Sequence, residues 1–217
     1  MANKTLIVSC ALALLSLASP ALAGPPFLCH PFDISGAKSL PWVDGRDWLG
    51  VRGDYDVTHL VADTEALLTP ETPTIVRMET LRRAAIYAAA DRALAERLVA
   101  ALTARVHAAG AGGRTGALAI FDAGYVLEAM SELAMHGHYM GSDAGTRGAR
   151  VAGLAQPDEG RALILKSASL RTDDAGIAFA LTLISKTEEQ QPHLSKARAG
   201  AKQDRLLAAN MARLQMQ

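Results

Sequence analysis

Cysteine is nearly missing from this chain, with Cys10 and Cys29 the two examples in 217 residues. The first 23 residues read as a secretory signal: Lys4 in a short basic region, an apolar stretch from Leu6 to Leu17, then Ser19-Pro20 and the small-residue site Ala21-Leu22-Ala23. Ile7-Val8-Ser9-Cys10 also resembles a lipobox, but the apolar core before it would be only a few residues long. Cleavage after Ala23 is therefore expected. It removes Cys10 and leaves Cys29 alone, so an intrachain disulfide is excluded and the fold must rest on burial.

Three further scarcities narrow the class. Aromatic residues number four Phe, four Tyr and two Trp, too few for an ordinary sheet protein, where β-branched and aromatic side chains are enriched. Lysine plus arginine equals aspartate plus glutamate at 22 each, so net charge gives no reason to expect nucleic acid or an anionic membrane as partner. No apolar run after the first 23 residues approaches the length of a membrane span.

What is present is helical periodicity. Asp56 is placed to cap a helix carrying Val57, Leu60, Val61, Leu67 and Leu68, and Thr72 to cap a second with Pro73 at its first position. Asp91 opens a third, with Leu94, Leu98, Leu102 and Val106 four apart. A fourth runs from Leu118 to Met135, with Gly137 expected as its left-handed cap. Residues 139–156 read as a long mobile connection. Asp158 opens a fifth helix, Thr172 caps an apolar sixth, and a basic amphipathic seventh follows His193.

The expected architecture is all-α: about seven helices in antiparallel hairpins, forming a compact bundle or a short solenoid-like array. Residues 1–23 are the signal, 24–53 an irregular arm rich in proline, glycine and aromatics, and 54–217 one helical domain. Phe27, Phe32, Trp42 and Trp48 are expected to plug grooves between helices and hold the arm down. The tetratricopeptide pattern is not met, because with Gly124 as its glycine the tyrosine place holds Leu127 and the small-residue place holds His136.

Chemistry-bearing clusters are few. "GAGGRTG" lacks the third glycine of a dinucleotide loop and the lysine of a P-loop, and it follows a helix, so it reads as a turn. Cys29, His30 and Asp33 form a candidate thiol site. In an extended arm, though, neighbouring side chains alternate in direction, which turns His30 away from Cys29. The favoured expectation is a buried, structural Cys29 among Phe27, Leu28 and Phe32. Glu128, Glu132 and His136 are each four apart, with His138 just beyond, and together form a candidate metal cluster, weighed against a solvated helix face. Arg77, Arg82 and Arg83 are candidates for holding a carboxylate, again weighed against a solvated face. His59 with Asp63, and Glu79 with Arg83, read as surface pairs.

No catalytic signature stands out and no motif calls for a cofactor. The leading expectation is an exported, periplasmic or extracellular protein that binds a protein, peptide or small-molecule ligand without catalysis. The alternative is an enzyme or metalloprotein built on Cys29 with a histidine, or on the Glu128, Glu132, His136, His138 cluster.

Overall fold

A computed structural model describes residues 27–43, 48–110, 113–156 and 158–214. Residues 1–23, expected to be a signal sequence, and Cys10 with them lie outside the described residues. After a 3-10 turn at Val57–His59, nine α-helices follow among the described residues, with no strand: α1 (Leu60–Leu67), α2 (Thr74–Ala88), α3 (Arg92–Ala109), α4 (Gly113–His136), α5 (Ser142–Val151), α6 (Glu159–Leu170), α7 (Ala175–Ile184), α8 (Thr187–Ala201) and α9 (Arg205–Arg213). None is long and apolar enough to cross a membrane.

α4 is the hub because it is apolar on nearly every side, burying residues from Gly116 to Leu127 without a break. α2, α3, α5 and α6 all pack on it, and α7 closes the far side against α2, α6, α8 and α9. The contact between α2 and α7 joins elements far apart in the chain, so this is a bundle around a central helix rather than a stack in which each hairpin meets only its neighbours. Where α6 crosses α4, glycine is required on both sides: a Cβ on Gly124 would lie 2.8 Å from the Gly160 carbonyl oxygen, and one on Gly160 would lie 2.6 Å from the Glu128 nitrogen.

Several expectations are corrected. The segment read as a mobile loop contains α5, whose buried Ala144, Gly148 and Val151 sit at helical spacing. Small residues on that face carry almost no hydrophobic signal, yet they let the helix lie directly against α4. The basic C-terminal segment is two helices, divided where Asp204 accepts hydrogen bonds from the Leu206 and Leu207 nitrogens. α8 begins before His193 and runs through Pro192. The hydrogen bond proline cannot donate would have gone to the carbonyl of Glu188, an exposed residue.

Caps shift too. Thr72 donates to the Leu67 carbonyl and so closes the turn after α1 instead of capping α2. The cap of α7 is Asp174, accepting from the Ile177 nitrogen, rather than Thr172. Gly137 enters a 3-10 turn, and the left-handed glycine of that connection is Gly141 at φ 105°. Asp91 caps α3 as its position implies, accepting from the Leu94 nitrogen.

Candidate functional site

The site is built on charged residues of α2. Glu79 and Arg82 are both 0 % exposed, and one carboxylate gathers four donors. Glu79 Oε2 accepts from the Phe32 nitrogen at 3.0 Å and Arg82 Nε at 2.8 Å. Its Oε1 accepts from Arg82 Nη2 at 2.9 Å and Arg83 Nε at 2.7 Å. Burial alone would raise the pKa of Glu79, but the two guanidiniums outweigh it and hold the carboxyl below its ordinary value.

The arginines spend their remaining donors on the arm. Arg82 Nη1 donates to the carbonyl oxygens of Leu28 and Trp48, each at 3.1 Å, and Arg83 Nη1 to that of Leu40 at 2.6 Å. The Trp42 ring lies over both guanidiniums, 4.8 Å and 5.5 Å from centroid to Cζ. Tyr87 adds a bond from its hydroxyl to the Pro41 carbonyl at 2.7 Å. A segment without regular secondary structure has its carbonyls satisfied by side chains of one helix, and this fixes its path.

The ends of the arm have their own anchors. Phe27 stacks on Tyr125 with centroids 4.1 Å apart and planes 9° from parallel, and its nitrogen donates to Glu132 Oε2 at 2.9 Å. Phe32 meets Phe179 edge to face. Asp33 and Asn210 of α9 exchange two bonds of 2.8 Å each, from the Asp33 nitrogen to Asn210 Oδ1 and from Asn210 Nδ2 to the Asp33 carbonyl. Phe27 and Phe32 are fully buried, whereas Trp42 and Trp48 are partly buried and lie against the core.

Between this tethered arm, α2 and the end of α9 lies a cleft of about 980 Å³. Cys29, Asp33, Lys38, Trp42, Trp48 and Arg213 are on its walls, with Glu79 and Arg83 also lining it. The turn at its rim has Ser35 and Gly36 at positive φ, and Asp33 Oδ1 caps it by accepting from the Ser35 nitrogen at 2.8 Å.

The thiol candidates separate here. Cys29 is half-buried on the cleft wall and not enclosed beneath the arm, because the arm turns so that Phe27 and Leu28 take the interior places. Burial, then the nearby Glu132, push its thiol up to about 11 against a smaller opposing pull from Arg82, so it is protonated at neutral pH. Asp33 shares the cleft with it, whereas His30 does not line the cleft. Burial first, and then Arg213, lower the pKa of His30.

The other candidates are also dispersed. Glu132 is fully buried on the core side of α4 under Phe27, so the exposed stripe expected there does not exist. Burial drives its pKa well above the ordinary carboxylate value, and it has no ion-pair partner among the described residues. Glu128 is half-buried, with its pKa raised mainly by burial. His136 and His138 are exposed. Among the described residues no three His, Cys, Asp or Glu are grouped to hold a metal. Arg82 and Arg83 lie together, but the anion they hold is Glu79, while Arg77 pairs with Asp122 at 2.7 Å. Asp63 accepts from the Tyr55 hydroxyl at 2.7 Å, and His59 faces Asp56 instead.

Sequence reasoning missed Glu79 as an internal organiser, and also Asn210 and the pair Asp122 and Arg105. The available signal was the density of charge on α2, with Glu79 three and four residues before two consecutive arginines. The chain matches no family model, no curated protein and no solved structure.

Proposed function

We propose that this is an exported binding protein that seats a short peptide or small polar molecule bearing a carboxylate in the arm-lined cleft, and performs no chemistry on it. Export, to a periplasm or to the medium, rests on the first 23 residues. The observation that carries the binding reading is a large cleft whose walls are already fixed. Its volume lies at the upper end of the roughly 300–1,000 Å³ range of ligand pockets. Walls held by Glu79, Arg82 and Arg83 cost little ordering when a ligand arrives.

The lining suggests the ligand. Lys38 and Arg213 have no ion-pair partner among the described residues and offer cations to a carboxylate, Asp33 offers an anion to an amine, and two indoles offer apolar faces. A thiol enzyme built on Cys29 is disfavoured by the same surroundings, since the reactive form is the thiolate and this site suppresses it.

Both tryptophans of the chain line the cleft, so occupancy is readable from intrinsic fluorescence. A panel of amino acids, dipeptides and tripeptides should include members giving a saturable change that Ala37→Phe, at the exposed rim, abolishes without altering the helical spectrum. No saturable change across the panel, or a change that survives Ala37→Phe, would refute the assignment.

A further inference from the structure

Arg77, separated from the other two arginines of α2, belongs to a different cavity. It has about 300 Å³, lies among the end of α1, α2, α3 and α4, and is lined by Leu68, Pro70, Leu118 and Ala119 together with Arg77 and Arg105. Apolar walls that include two cationic side chains describe an amphiphilic site.

The charges do not balance. Arg77 Nη1 at 2.7 Å and Arg105 Nη1 at 3.4 Å both donate to the same oxygen of Asp122, Oδ2. Arg77 Nη2 donates to the Thr69 carbonyl, and Arg105 Nη2 to the Leu68 carbonyl at 2.7 Å. Two cations therefore share one carboxylate and two carbonyl dipoles. Arg77 is 1 % exposed and Asp122 0 %, yet Arg77 Nε and Asp122 Oδ1 are both buried without a partner. Arg105 adds a second, partly exposed cation to the balanced Arg77–Asp122 pair, and the idle Arg77 N–H is costly to bury without an acceptor. The side chain of Arg105 is 27 % exposed and Ala108, also on the lining, is exposed, so the cavity reaches solvent beside the end of α3.

We propose that this cavity is a second binding site, distinct from the arm-lined cleft, which takes a small carboxylate carrying a short apolar group, its head on Arg77 and Arg105 and its tail against Leu68 and Leu118. Asp122 gives the site a proton dependence. Arg77 from α2 and Arg105 from α3 are the charged groups that act on it, while α6, packed on the same stretch of α4, contributes the neutral Ser167, bonded to the Ala117 carbonyl. Burial outweighs both arginines and places the carboxyl at about 6. An incoming carboxylate is a like charge and favours the protonated form further. Once protonated, Asp122 withdraws its negative charge from the two guanidiniums and leaves them freer to hold the ligand carboxylate, so binding takes up a proton from solvent.

The test is calorimetric titration of the full chain with butanoate, hexanoate and octanoate, with hexanamide and inorganic phosphate as controls. The carboxylates should bind, hexanamide and phosphate should not, and affinity should rise from about pH 8 to about pH 6. Arg105→Gln should weaken binding by about tenfold or more. Ala108→Trp, which fills the mouth and keeps both arginines, should abolish it and carries the test if Arg105→Gln does not fold. Ala37→Phe, which blocks the arm-lined cleft, should leave it unchanged, which separates the two sites. No carboxylate binding up to about 10 mM, equal binding of hexanamide or phosphate, or full affinity in Ala108→Trp would overturn the proposal.

Discussion

Arg82 grips both oxygens of Glu79 one turn earlier on α2 and, with the donor left over, holds the carbonyls of Leu28 and Trp48. An ion pair inside a helix is thereby the peg on which an irregular segment hangs. Glu79→Gln should cost about 3–5 kcal/mol, because it leaves buried guanidiniums without their counter-charge. Urea denaturation measures the loss, and the arm should become protease-sensitive while the helical spectrum persists. A cost below about 1 kcal/mol, the level of an exposed pair, would show that the arm is held by its aromatic residues alone.

Glu132 supplies a pH test. Its folded pKa is raised by burial, so the protonated form is favoured in the native state. Its contribution is fully present below the unfolded value of about 4.3 and is lost as pH rises through the folded value. Glu132→Gln keeps an acceptor for the Phe27 nitrogen and removes the titration. The variant should gain on the parent by about 1.4 kcal/mol per pH unit across that window, from roughly pH 5 upward. Parallel stability curves for the two proteins would contradict a buried neutral Glu132.

Cys29 should react slowly with a thiol reagent at pH 8 in the native protein and much faster once unfolded, when its pKa returns to about 8.5. Its rate in the native state should climb with pH toward about 11. A rate that climbs in this way identifies thiolate scarcity, rather than burial of the half-buried residue, as the cause. A flat, slow profile would point to steric protection instead.

Gly124→Ala should destabilise by about 1–3 kcal/mol, since the new Cβ would meet the Gly160 carbonyl at 2.8 Å and Leu163 Cβ at the same distance. Backbone cannot yield as a side chain tip does, so α6 must move away from α4. Thermal unfolding reports the change, and Gly53→Ala, which meets nothing within 4 Å, is the matched control.

Periodicity and capping chemistry in the sequence determined the helical class, the apolar faces of α2, α3 and α4, the cap at Asp91 and the burial of Phe27 and Phe32. Those signals are local: a carboxylate three residues before an amide, or leucines four apart, act within one element and need no knowledge of the rest of the chain. Tertiary structure decided the remainder. Glu79 before Arg82 and Arg83 has the same spacing on a solvated surface as in a core, and only the arm lying over α2 makes it internal. Ala144 and Gly148 say little about hydrophobicity, and become a helix contact because α4 presents backbone at Leu133, and the turn after it at Gly137, for them to lie against. Glu132 looked like one step of an exposed stripe until Phe27, 105 residues away in sequence, covered it. Burial is a property of pairs of elements, and the pairing energy comes from surface removed from water, which no single segment records.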